Sequence, residues 1–323
     1  MADRNTSFGK PRQTICRLAM LLIVGFTAVG CGLPTWSDLT GGNKPVTPLQ
    51  NPNPPQPVVI QTPTPPPPPK PPTDEEIVAK FQAMKPYELD DTALLNLSTG
   101  GEGLAVVEEV NLNGSKVTNG GLAHLAKLPN LRQLDVRNSP VDKDGAAAIA
   151  AITSLETLKL DGGEMTDEAV QALNPLSELK HLEISNVRLS PGGWSQLANH
   201  PNLESLYINA SNMSDDGLAI IGELKSLKIL WINSVPITDR GIVNLRGLDN
   251  LEWLSLGQTS VNGSGFTPLV KAKALKSMKR LGMDSTPLGP FGAKAIMTMS
   301  QLEGLGLGNL GTMRDQDFVP MVK

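Results

Sequence analysis

From Val107 onward, apolar residues return at a fixed interval. Position 1 of the pattern falls at Val107, Leu131, Leu155, Leu179, Leu203, Leu227 and Leu251, each 24 residues after the last. It then falls at Met278, after a three-residue insertion, and at Leu302. Positions 1, 4 and 6 form an L-x-x-L-x-L triplet, as in Leu131/Leu134/Val136 and Leu227/Leu230/Ile232. The L-x-L part has the two-residue alternation of a strand. Position 11 is apolar again (Val117, Val141, Met165, Ile237) and position 12 is a helix N-cap type (Thr118, Asp142, Thr166, Ser190, Thr238). Position 15 is usually Gly, and positions 16, 19 and 22 carry apolar residues at helical spacing. Each unit therefore predicts one short strand, a turn and one short helix. Such a unit cannot bury its apolar face alone, so neighbours must stack.

The stretches LPNLRQLDV (128–136), LKSLKILWI (224–232) and ITDRGIVNL (237–245) carry this pattern in full. They resemble the leucine-rich-repeat family, in its ribonuclease-inhibitor-like and F-box-associated subclass and in bacterial proteins with T-D-x-G-L units. The resemblance spans 107–323, about nine units. It implies an α/β solenoid, a horseshoe with parallel strands on the concave face and short helices on the convex face. Position 9 departs from the family pattern. Where many members have Asn or Cys, this chain has Ser115, Ser139, Gly163, Val187, Ser211, Val235, Thr259 and Thr286. Residues 74–106 read as a helical N-terminal cap, opened by the capping box Thr73-x-x-Glu76. At the other end, Phe318 and Met321 suit the start of a last helix.

The first 73 residues follow other rules. Arg4, Lys10, Arg12 and Arg17 precede an apolar run, Leu18 to Gly30, that is too short to span a bilayer but fits a secretory signal over residues 1–30. The run ends Ala28-Val29-Gly30-Cys31, which resembles a bacterial lipobox. That resemblance implies cleavage before Cys31, its acylation, and a lipid-anchored protein of the cell envelope on the extracytoplasmic side. An ordinary signal peptide with a free Cys, or an uncleaved anchor, are the alternatives. Residues 31–73 read as a tether, because 14 of the 28 residues from Pro45 to Pro72 are Pro and cannot donate a backbone hydrogen bond. A polyproline II helix rises about 3.1 Å per residue, so this stretch would reach roughly 85 Å. The competing reading is a ligand for a Pro-recognising partner.

Charge and chemistry narrow the function classes. The chain has a formal net charge of −4, which disfavours a nucleic-acid surface. Its two Cys, Cys16 and Cys31, both precede the repeats, and its three His lack zinc-site spacing, so no metal site is expected. No Ser-His-Asp constellation or Gly-rich phosphate loop is present, so neither catalysis nor a cofactor is expected. An F-box-like adaptor role also lacks its F-box. Position 2 alternates in sign: Glu108, Arg132, Glu156, Lys180, Glu204, Lys228, Glu252, Lys279, Glu303. On parallel strands about 4.8 Å apart each charge would meet opposite charges on both sides, a ladder that favours correct register.

Positions 3, 5 and 7 should face away from the core. Most are small or polar, but Tyr207 and Trp231 occupy position 5 of adjacent units and Trp253 position 3 of the next. Ile229, Asn209, Asn233, His181 and Glu183 lie beside them. These eight residues form the candidate binding site, and the aromatics carry it because Tyr and Trp dominate binding hot spots. Stacking between rungs, or cover by the Pro-rich tether, would explain the same aromatics without a partner. The His181–Glu183 pair by itself does not make a mechanism. The expected function is a membrane-anchored, extracytoplasmic scaffold that binds a protein or peptide ligand. A carbohydrate or cell-wall module and a structural spacer are the other readings.

Overall fold

The computed structural model describes residues 70–310, apart from 163 and 164. The signal segment, Cys31, most of the Pro-rich tether and the expected last helix lie outside the described residues.

Nine parallel strands form one open sheet in sequence order: β1 (Glu109–Asn111), β2 (Gln133–Asp135), β3 (Thr157–Asp161), β4 (His181–Ser185), β5 (Ser205–Asn209), β6 (Ile229–Asn233), β7 (Trp253–Ser255), β8 (Arg280–Gly282) and β9 (Gly304–Gly306). Register follows the sequence period. Position 4 faces position 4 from Val110 and Leu134 to Leu281 and Leu305, straight across the three-residue insertion. Sequential parallel pairing requires a return path for every strand. Here it is a short helix, such as α4 (Lys143–Ala150), α5 (Asp167–Ala172), α6 (Pro191–Ser195), α7 (Asp215–Ile221) and α8 (Asp239–Ile242).

The core lies between the strands and these helices. Leu134, Leu158, Leu206 and Leu230 at position 4 are buried, as are Leu160, Ile208 and Ile232 at position 6. From the helix side come Trp194 and Phe266 at position 16 and Leu197, Ile221 and Leu245 at position 19. Before β1, α1 (Asp74–Ala83) and α2 (Asp91–Leu97) cover the first rung with Val78, Phe81, Leu94 and Leu97. Thr73 and Glu76 close the capping box at the start of α1. Among the described residues no helix is long and apolar enough to cross a membrane.

A cross-unit latch explains the T-D-x-G signature. Asp215 at position 13 accepts from the Thr238 N–H (2.7 Å) and the Thr238 hydroxyl (2.6 Å) of the following unit. Thr238 in turn caps α8 through the Arg240 N–H. Asp91 serves Thr118 in the same way, and Asp167 serves Ser190. The carboxylate then lies where a side chain at position 15 of that following unit would begin. A Cβ on Gly121, Gly193 or Gly241 would overlap Asp91, Asp167 or Asp215. Position 15 of these units is therefore Gly for lack of room, whereas Ala169 stands there in the unit whose preceding position 13 is Lys143. Every strand but β3, which is followed by Gly162, leaves its last residue through a left-handed turn at position 8, by Gly114 (φ 68), Asn138 (φ 55), Asn186 (φ 56) and Ser234 (φ 56) among others.

Position 9 works without Asn. The buried hydroxyls of Thr259 and Thr286 donate to the carbonyls of Leu256 (2.7 Å) and Met283 (2.8 Å), three residues back, and Ser139 donates to Leu112 of the preceding rung. The charge ladder forms in pieces. Glu156 binds both Arg132 and Lys180, whereas Lys228 pairs with Glu204 and Lys279 with Glu252. Among the described residues, direct ion pairs on both sides form only at Glu156, while Lys180, Glu204, Glu252 and Lys279 each pair with one neighbour and feel the opposite charge of the other without contact. A lysine has one head group, and an exposed one keeps its remaining donors in water.

Candidate functional site

The outward face of the sheet is built from rows 3, 5 and 7. In row 5, Lys159, Glu183, Tyr207, Trp231 and Ser255 sit side by side on β3 to β7. In row 3, His181, Ser205, Ile229, Trp253 and Arg280 do the same on β4 to β8. Tyr207 and Trp231 are register partners, with ring centroids 5.2 Å apart and planes at 65°. Trp253 lies diagonally behind Trp231, at 4.8 Å and 71°. Such diagonal neighbours are within reach of large aromatic side chains. The Arg280 guanidinium closes the series 4.2 Å from the Trp253 ring centroid. Tyr207, Trp231 and Trp253 are each half-buried, with Ile229 filling the space beside Trp253.

Electrostatics fix the protonation at one end of this ladder. Burial, and then the charge of Glu183, push the Tyr207 phenol above an ordinary value of 10 that already keeps it a hydrogen-bond donor at neutral pH. Glu183 does not turn to His181. It accepts from Arg137, two rungs away, at 3.2 Å. Arg137 also makes a forked contact with Asp135, which with Glu183 raises its already high pKa further. His181 is exposed. Thr157, Lys159, His181, Glu183 and Tyr207 enclose a shallow hollow of ≈ 270 Å³ beside the tyrosine.

Row 7 is spent on itself. The Asn233 amide donates to Asn209 Oδ1 (3.3 Å), and Asn209 donates to Ser185. Asn233 Oδ1 accepts from Ser255 (3.0 Å) and from the Gly257 N–H (2.7 Å). The two asparagines are thus tied into their row while remaining partly exposed. The Trp231 indole N–H is buried without a hydrogen-bond partner among the described residues. Among the described residues no group of His, Cys, Asp and Glu is arranged to hold a metal.

The profile of a family described as Leucine Rich repeat matches residues 127–150, the span of β2 and α4. The fold is similar to that of an internalin (inlF) from Listeria monocytogenes str. 4b F2365, with a TM-score of 0.51 and 19% identity over 72% of this chain and 68% of that one. The fold is a leucine-rich-repeat solenoid. An internalin C2 (inlC2) from the same organism is also similar, with a TM-score of 0.45 and 19% identity over 72% of this chain and 88% of that one. No curated protein matches the sequence.

Within the solenoid, the eight expected site residues fall into three groups. Tyr207, Trp231, Trp253 and Ile229 form one apolar surface. Glu183 and His181 border the hollow next to it. Asn209 and Asn233 lie along one edge. Sequence reasoning passed over Arg280, Lys159 and Arg137. Arg280 had a signal, since it follows Trp253 in row 3 once the insertion is allowed for. Arg137 had none, because its bridge to Glu183 skips a whole unit.

Proposed function

We propose that this chain is a non-catalytic protein-interaction scaffold whose concave sheet face holds a segment of a protein partner against Tyr207, Trp231 and Trp253. Lipidated Cys31 and the Pro-rich tether would keep it at an envelope membrane, on the extracytoplasmic side. The observation that carries the reading is the aromatic ladder itself. On a face where most rungs present small or polar side chains, three consecutive strands bring large rings into contact while leaving them partly exposed. A surface of this kind is costly to leave in water and marks an interaction site.

Ring geometry supports a protein ligand over a glycan. The rings meet edge to face, at 65° and 71°, so they do not form the flat platform on which a sugar stacks. The lipobox-like sequence supports the anchor, and the repeat fold supports an interaction scaffold in general.

The test is crosslinking in the native cell, with a photoreactive phenylalanine analogue at position 229. The same analogue at exposed Gln171, on α5, serves as the control. The expected result is a discrete protein adduct from position 229 only. Equal adducts from both positions, or none from position 229, would reject the concave site.

A further inference from the structure

The solenoid breaks its period once, between Leu251 and Met278. The three added residues fall in the loop that joins α9 (Phe266–Lys271) to β8. Here the sequence also breaks its charge pattern. From Trp253 to Met283 there is no Asp or Glu, yet five basic residues stand within ten positions: Lys271, Lys273, Lys276, Lys279 and Arg280. In a chain of net charge −4 this is a local inversion.

All five are exposed. Lys279 binds Glu252 at 2.9 Å. Among the described residues, Lys271, Lys273, Lys276 and Arg280 have no carboxylate within ion-pair distance. Lys273 and Lys276 also line a groove of ≈ 390 Å³ that continues over Thr298, Ser300 and Gln301 of the next loop. Lys273 holds a left-handed backbone (φ 53) and so does buried Leu275 (φ 54), a conformation unfavourable for any residue but Gly or Asn. The loop therefore keeps its course against local preference. The same basic run ends at Arg280, whose guanidinium lies on Trp253, so the last cation of the run touches the aromatic ladder.

We propose that the basic rim of the seventh and eighth units binds an acidic run of the same partner segment whose apolar part lies on the aromatic ladder. This rests on the concave-face reading above and adds the chemistry of the ligand: apolar or aromatic residues, then Asp or Glu toward the C-terminal units. Like-signed cations so close repel one another, and an acidic segment relieves that repulsion while the rings bury its apolar part. A peptide suits the site better than a lipid surface, because one segment can reach both the loop lysines and the partly exposed rings on the strand face.

The test selects a displayed library of random 12-residue peptides on the purified full chain, and on two variants. One is Lys273→Glu/Lys276→Glu and the other is Tyr207→Ala/Trp231→Ala/Trp253→Ala. The account expects retained peptides to carry acidic runs beside apolar residues. The rim variant should bind those peptides about tenfold more weakly, with a shallower dependence on salt. The ladder variant should lose them. Retained peptides without acidic enrichment that still need the ladder would overturn the rim proposal and leave the concave site standing. Peptides that survive the ladder variant, or none retained by the unaltered chain, would overturn both. Lys273- and Lys276-dependent binding to phosphatidylglycerol vesicles, with no acidic enrichment, would assign the rim to a membrane and overturn the peptide.

Discussion

The helix-side turns and the outward strand face treat the same 24-residue period in opposite ways. On the helix side, positions 12, 13 and 15 repeat one device. A Thr or Ser caps its own helix, an Asp of the preceding unit holds that Thr or Ser, and a Gly makes room for the carboxylate. On the strand face, rows 3 and 5 change from rung to rung, and charged groups on β2 to β4 give way to aromatics on β5 to β7. Repetition marks what every unit needs in order to stack. Departures from it mark what only this protein needs, and both the aromatic ladder and the basic insertion are departures.

The largest expected effect breaks a latch. Gly193→Ala forces a methyl group into Asp167 and should destabilise by about 2 kcal/mol in denaturant unfolding, the usual scale for overpacking. Gly192→Ala, one residue earlier in α6, would meet only the Ser190 hydroxyl, at an ordinary contact distance of 3.4 Å, and should be neutral or stabilising by up to about 1 kcal/mol. If the two behave alike, the steric explanation of position 15 fails. Next comes Asp215→Ala, which strips both hydrogen bonds from Thr238 and should cost about 1–2 kcal/mol in the same assay without altering partner capture.

His200 offers a pH-dependent version. It replaces the usual Leu in the position-22 column, is almost fully buried, and meets the Leu176 carbonyl through Nδ1 at 3.2 Å. Burial lowers its pKa, so below the ordinary value of 6.5 the unfolded chain takes up a proton that the folded chain refuses. Stability from this group is full above that pH and falls as pH drops toward the lowered value, with a slope approaching about 1.4 kcal/mol per pH unit. His200→Leu should remove that component from the pH profile of unfolding. An unchanged profile would contradict the assignment. The smallest effect belongs to the charge ladder. Glu204→Lys should lower the melting temperature by about 1–2 °C more than Glu204→Gln, because it adds repulsion from Lys180 and Lys228 to the loss of a partner. Equal shifts would mean that the alternation does not contribute to register.

The columns were legible in the sequence because a fixed period lets each position be read nine times over. Strand order, the buried triplets and the aromatic cluster all follow from it. Contacts that cross units by side-chain reach were not legible. Position 15 reads as Gly from Gly121 to Gly292 with the single exception of Ala169, but only the structure shows the carboxylate beside Gly121, Gly193 and Gly241. Asn209 and Asn233 were readable as outward polar groups, but the hydrogen bond between their amides was not. Asn130, Asn202 and Asn250 form another such column. Each precedes a position-1 Leu, and each donates to a carbonyl of the preceding unit. The recurring Asn-Leu pair was a readable signal for it. Arg280 was hidden by the insertion, which shifts the count by three just where the aromatics end.

The central claim is that the departures on the strand face serve binding and not stacking. Its most direct test is partner capture by the Tyr207→Ala/Trp231→Ala/Trp253→Ala chain, set beside capture by the Asp215→Ala chain, with circular dichroism confirming that both remain folded. The account predicts that the ladder variant loses at least tenfold in capture while the latch variant, though less stable, captures as the unaltered chain does. Undiminished capture by a folded ladder variant would contradict it.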